Sequence, residues 1–249
     1  MPTITNKTSF DTLDLHQYYN AKVTDIFKQS YLSPRVNVPT LMLPTQGIGN
    51  WCYPLTQANI DDSGLRKLAG NNNEIFTPKR IPFNTPHDSV DNNIVFTSQW
   101  DNYSDEIRIP LNGSASAMHL LMAGSTNPMQ SRITNGEVIV TYTDDSKDTL
   151  QLRNPENWWP IEQDYMIDGY AFTTGARFPL RLYLKDGTFG YGLKKYTSIS
   201  GFTNMAIDGG AATVLQMPLN KLKSLKSLKI KAIANDVVIG LMSVTLQRN

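Results

Sequence analysis

The chain has 249 residues, 40% of them apolar, and 23 Lys and Arg against 22 Asp and Glu give a net charge of +1. That composition is globular rather than disordered, and the length suits one large β domain or two ordinary ones. Near-neutrality leaves no electrostatic case for a nucleic-acid partner, whose affinity would have to come from phosphate neutralisation.

One cysteine, Cys52, excludes an intrachain disulfide and a Cys-based zinc site; in NWCYP it reads as a small buried hydrophobe. The opening residues MPTITNKTSFDTLDL lack a basic start followed by an apolar run, so no signal peptide is expected. No run approaches the roughly 20 apolar residues that span a bilayer, and no membrane insertion is expected.

In chain order, DLHQYYNAKVTDIFKQSYLSP sets Leu15, Tyr18, Tyr19, Val23, Ile26 and Phe27 at helical spacings, with Ser33-Pro34 as a stop. PTQGIGNWCYP and IDDSGLRKLAGNNNE are rich in turn residues and read as ordered loops with buried anchors at Trp51 and Leu65. From about residue 90 the period becomes two. Strands are expected over 92–100, 106–111, 116–124, 137–143, 148–153, 180–186, 211–219, 224–234 and 236–246. TYTDDSKDTLQL has the form of a hairpin, and Asn235-Asp236 is expected to join the last two strands in a tight turn. In KLKSLKSLKIK the lysines alternate with leucines, the pattern of one solvated and one buried face. From Val237 to Met242 nearly every residue is apolar, so the last strand should be central and covered on both sides. The expected fold is all-β: an antiparallel, jelly-roll-like two-sheet sandwich in a single domain over 1–249, with 1–90 a loop-rich wrap and 91–249 the main sandwich.

The stretch NPENWWPIEQDYMIDGYAF concentrates the candidate chemistry. An indole offers a large rigid face to the C–H side of a pyranose ring. Trp158 and Trp159, with Asn157, Glu162 and Gln163 to bond hydroxyl groups, make a candidate carbohydrate site. Adjacent residues of an extended chain point oppositely. One exposed and one buried indole, Trp158 out and Trp159 in, is therefore weighed against two buried ones. Glu162, Asp164 and Asp168 fall on one side of an extended segment at about 6.6 Å intervals, within the roughly 5–9 Å that separates the carboxyl groups of a glycosidase. They are the alternative, catalytic candidates, set against the rule that such a pair normally comes from separate segments. Asp61 and Asp62 in IDDSGLR are weak calcium candidates; the competing reading is a helix cap followed by an Asp–Arg pair. No other cofactor is implied. His16, His87 and His119 have no ligand spacing, and AIDGGAAT lacks the strand–helix context of a dinucleotide loop.

Several motifs are longer than local physics requires. SAMHLLMAGSTNPMQSRITNGEVIVTYTDDSKDTLQLRNPENWWPIEQDY resembles the galactose-binding-like jelly rolls attached to bacterial glycoside hydrolases. Together with VTDIFKQSYLSPR, QGIGNWCYP, IDDSGLR and ANDVVIGLMSVTL, it resembles the C-terminal region of an uncharacterised family of large polysaccharide-utilisation proteins of gut Bacteroidetes. The resemblance runs from about residue 20 to the end. It implies a jelly-roll fold, a carbohydrate-degrading context and a periplasmic or secreted setting, but no mechanism; the expected role is that of a non-catalytic accessory module that binds glycan or supports a catalytic domain. The implied partners are carbohydrate or a catalytic glycoside-hydrolase domain. A glycoside hydrolase or lyase acting through the carboxylates, and a pure scaffold without ligand, remain the alternatives.

Overall fold

The computed structural model describes residues 8–29, 58–100, 102–126, 131–164, 175, 177–191, 196–197, 206–235 and 237–248. In chain order its strands are β1 (Ser9–Thr12), β2 (Glu74–Phe76), β3 (Pro82–Asn84), β4 (Val95–Ser98), β5 (Glu106–Pro110), β6 (Ala117–Thr126), β7 (Thr134–Tyr142), β8 (Lys147–Arg153), β9 (Leu180–Tyr183), β10 (Thr188–Gly190), β11 (Tyr196–Thr197), β12 (Ala206–Ile207), β13 (Ala211–Pro218), β14 (Leu225–Ala232) and β15 (Val237–Arg248). One α-helix, α1, spans Ser63–Ala69. The fold is all-β and sandwich-like. A large antiparallel sheet runs β1-β15-β6-β13-β9-β10 with β4 also on β15, and a smaller one runs β5-β14-β7-β8.

β15 is the spine. It pairs with β6 along one side, and on the other with β4 and then β1. Its apolar composition suits that position, because both faces of the large sheet are covered. Ile239 and Leu241 face the core between the sheets, with Met118, Leu120 and Met122 of β6 and Val138, Val140, Leu228 and Ile230 of the small sheet. Val238 and Met242 face a second core on the opposite side, with Leu121, Phe96, Leu65, Phe83, Val23 and Ile26. A register shift between Leu241 and Ser243 moves the alternation by one, so that Val244 and Leu246 return to the inter-sheet core. The lysine-rich run follows its pattern only within β14, where Leu225, Leu228 and Ile230 are buried and Lys226 is exposed, with a register shift between Leu225 and Ser227; Leu222, in the turn ahead of the strand, is 88% exposed.

Three expectations change. Residues 16–18 and 23–25 form short 3-10 turns rather than an α-helix. The backbone at Asn20 and Ala21 is pinned in an extended bridge to Ile94, which interrupts any helical ladder. The loop read over IDDSGLRKLAG contains α1, with Leu65 fully buried as its anchor. The last two strands do not form a hairpin. β14 lies in the small sheet and β15 in the large one, and the Ile233 and Ala234 N–H groups both donate to Asn135 O as the chain turns the corner. Within the N-terminal region, β1 is hydrogen-bonded to β15 of the large sheet. Trp51 and Cys52 lie outside the described residues.

Candidate functional site

After β8 the chain leaves the small sheet and crosses to the large one, and the aromatic–acidic stretch is that crossing. Asn157 closes the turn: its Oδ1 accepts the Arg153 N–H at 2.8 Å, and its Nδ2 donates to Gln151 O at 2.9 Å. Beyond it the backbone is stitched to the large sheet. Ile161 N donates to Gly124 O of β6, Ala211 N of β13 to Ile161 O, and Ile207 N of β12 to Glu162 O.

The two indoles do point apart, yet both meet protein. Trp158 is 0% exposed in the inter-sheet core, its ring against Gly124. Trp159 is 1% exposed; its Nε1 donates to Pro155 O at 2.6 Å, and its ring meets Phe178 edge-on and the Arg181 guanidinium face-on. The expectation of one exposed indole is therefore corrected. A segment that crosses between two sheets has buried space on either side, and a side chain on each face finds a core. Gln163 is buried as well, and Asn157, half-buried, is committed to its turn. None of these residues offers an open sugar platform.

The carboxylates follow the same logic. Asp164, 1% exposed, pairs with Arg181 Nε at 3.2 Å and accepts the Tyr183 hydroxyl at 3.3 Å. Arg181, fully buried, also donates to Thr213 Oγ1 at 2.5 Å and Pro160 O at 2.7 Å, so it ties the crossing to β9 and β13. Glu162 is 2% exposed and neither carboxyl oxygen has a hydrogen-bond partner. Burial pushes its pKa up to about 8, offset only in part by its own backbone N–H, the Arg181 charge and the Ser125 hydroxyl, which lies near without forming a bond. Glu162 is thus protonated at neutral pH, while the Asp164 carboxylate two residues on is ion-paired with Arg181. Both are sealed from solvent in this geometry, where no substrate reaches them. Asp168 lies outside the described residues.

A concave, open and polar surface lies elsewhere. A cleft of about 840 Å³ is bordered by residues 22–28, the start of α1, and the turn at His87, Asp88 and Ser89. Its lining carries Lys22, Lys28, Lys67 and Arg66 against Asp25, Asp61, Asp62 and Asp88, so the signs balance. One buried network fixes the three walls. Asp62 Oδ2 accepts Arg66 Nε at 2.9 Å and Asn93 Nδ2 at 2.8 Å, and Asn93 Oδ1 accepts the Val23 N–H at 2.9 Å. Arg66 reaches on to the carbonyls of Pro86, Asp88 and Asp91. Asp61 Oδ1 accepts the Ser63 N–H at 3.0 Å, and its bonds to Ser63 hold its carboxyl below the usual range. The Asp–Arg reading of IDDSGLR thus describes the local structure, with Asp62 spent on Arg66. Among the described residues no group of three His, Cys, Asp or Glu side chains could hold a metal ion. The cleft residues other than those of IDDSGLR were not singled out from sequence, because they come from segments about 40 and 25 residues apart that only the folded chain brings together.

No helix among the described residues is long and apolar enough to cross a membrane. Comparison with protein-family models, curated proteins and solved structures finds no match.

Proposed function

We propose that this chain is a non-catalytic accessory β-sandwich module of a polysaccharide-processing system, and that it holds glycan in the polar cleft rather than over the tryptophan pair. One observation carries the reading: the cleft between Lys22 and Ser89 is open, balanced in charge, and built on the buried Asp62–Arg66–Asn93 network. Lysine ammonium groups donate to sugar hydroxyls and carboxylates accept from them, so alternating signs suit a neutral polyol better than a polyanion or a metal. Rigid walls reduce the ordering cost of binding. The carbohydrate setting itself comes from the family resemblance.

The test is retention on immobilised plant and host polysaccharides, with and without the pair Asp25→Ala and Lys28→Ala, alongside an assay of reducing-end release. Retention that falls about tenfold or more in the double variant, with no release, supports the proposal. Release of reducing sugar, or retention indifferent to the cleft substitutions, overturns it.

A further inference from the structure

Asn72, Asn73, Asn84, Thr85 and Pro86 wall a second, smaller pocket, closed by residues 14–16 and Tyr19. Its volume is about 190 Å³, room for about six waters at roughly 30 Å³ each. That is the scale of one sugar ring, below the roughly 300 Å³ at which pockets for larger ligands begin.

We infer that this pocket binds a single neutral sugar residue, such as the terminal unit of a glycan chain, with Asn72, Asn84, Asp14 and Thr85 as its hydrogen-bonding groups. The inference deepens the glycan reading and rests on it for the ligand class.

The chemistry of the lining carries the assignment. Thr85 is 1% exposed, yet its Oγ1 is buried without a hydrogen-bond partner. Native structures rarely leave a buried hydroxyl in that state, and each instance calls for a reason; Thr85 stands in the pocket wall, and a small adjustment of that wall on binding would bring its hydroxyl to a ligand. The carboxamides of Asn72 and Asn84 form no side-chain hydrogen bonds among the described residues, so each offers a donor pair and an acceptor. Asn73 is spent differently, since its Oδ1 accepts the His87 N–H at 2.9 Å and meets the His87 ring at 2.8 Å, which holds the wall in place. Asp14, which also lines the pocket, accepts the His16 N–H on one carboxylate oxygen at 2.9 Å.

The remaining walls are Leu15, Pro86 and the Tyr19 ring, a surface for the C–H face of a pyranose. Tyr19 is fixed by its hydroxyl on Met242 O at 2.8 Å, and burial with the nearby Asp14 charge pushes its pKa far up, so it stays a neutral phenol. Among the described residues the pocket is lined by no lysine or arginine, by one histidine, His16, and by one carboxylate. Phosphate and uronate are therefore disfavoured, and a neutral ring with vicinal hydroxyls is favoured.

The experiment titrates nitrogen-15-labelled protein with the methyl glycosides of glucose, galactose, mannose, xylose, arabinose and rhamnose, each to tens of millimolar. At least one should shift the backbone and side-chain amide signals of Asn72 and Asn84 and the amide of Thr85. The double variant Asn72→Ala, Asn84→Ala should then bind that glycoside about tenfold more weakly or worse, two lost hydrogen bonds corresponding to at least one decade of affinity. Thr85→Val should weaken binding while leaving the melting temperature unchanged or raised, because it removes an unpartnered hydroxyl at nearly constant volume; a merely structural threonine would show no change in affinity. If no glycoside shifts these signals, or binding survives both variants, the pocket is not a sugar site. Polysaccharide retention lost on Asp25→Ala, Lys28→Ala but paired with a silent pocket would sink this inference and leave the cleft reading standing. Release of reducing sugar would instead overturn the cleft reading and leave the pocket result to stand by itself.

Discussion

Replacing Glu162 by glutamine tests the interior of the crossing segment directly. Glu162 has a folded pKa of about 8 against 4.5 for the exposed residue, because burial penalises its charged form. A raised folded pKa means that the native state binds the proton more tightly than the unfolded chain does. Its contribution is therefore fully present below about pH 4.5 and is lost as the pH rises through 8. At about 1.4 kcal/mol per pH unit, the loss is under about 1 kcal/mol at pH 5, on the order of 3 at pH 7, and approaches about 5 above pH 9. Glutamine has the shape of the neutral acid and cannot ionise. Parent and Glu162→Gln should have similar stability at pH 4–5, and the variant should become progressively the more stable of the two towards pH 9. Urea unfolding followed by tryptophan fluorescence at pH 5, 7 and 9 measures the gap, because Trp158 and Trp159 sit in the same segment. A constant offset between the two proteins, whatever its sign, reports only how well an amide fits. A gap that stays flat from pH 5 to 9 would refute the reasoning and mean that Glu162 is solvated or paired when ionised.

Trp158→Ala and Trp159→Ala should each destabilise by about 3–5 kcal/mol, since both side chains are buried; denaturant titration checks this, and near-neutrality of either would restore the exposed-platform view. Gly124→Ala should cost about 1–3 kcal/mol by the same measurement, because its Cβ would stand 2.0 Å from Val238 O and 2.8 Å from Trp158 Cζ2. Arg181→Met should cost about 3–5 kcal/mol by removing the buried ion-pair partner of Asp164, with much of the loss recovered by adding Asp164→Asn; a double-mutant cycle reads the coupling. Deletion of Val237 to Leu246 should abolish soluble expression, since β15 carries β1, β4 and β6 and its loss opens sheet edges.

The strands were legible because alternation has a local physical meaning. Lys226 beside Leu225, and Ile230 beside Lys229, assign faces wherever one side of a sheet is wet. The TYTDDSK hairpin was legible for the same reason, since β7 and β8 pair across it. Partner choice was not. Nothing in KIKAIANDVVIG distinguishes a hairpin from a corner between sheets, because that depends on whether Ile233 and Ala234 find Asn135 or each other's strand. The helix expected from the spacing of Leu15 to Phe27 failed through a contact about 70 residues away, the Ala21–Ile94 bridge. The tryptophans show where local inference stops: their opposed directions follow from backbone geometry, but what lies in each direction is set by Gly124, Phe178 and Arg181.

A module built this way would bind carbohydrate in a particular manner. The aromatic area that usually anchors a sugar is spent on holding the sandwich closed, and the Arg181–Asp164 pair spends the strongest hydrogen bonds of the crossing on the same task. What lines the cleft is mostly ammonium, guanidinium, carboxylate and hydroxyl, all of which bond water as readily as sugar hydroxyls. Each such exchange yields on the order of 1 kcal/mol, so a few of them together correspond to affinities near the millimolar range. Binding that weak is useful where the module is tethered or the polymer repeats, because a second contact along the same chain then acts at high effective concentration. If the cleft, lined by residues 87–89, and the small pocket, lined by residues 84–86, engaged one polymer together, a glycan long enough to reach both would bind far more tightly than its terminal residue, and the excess would vanish when either site was removed.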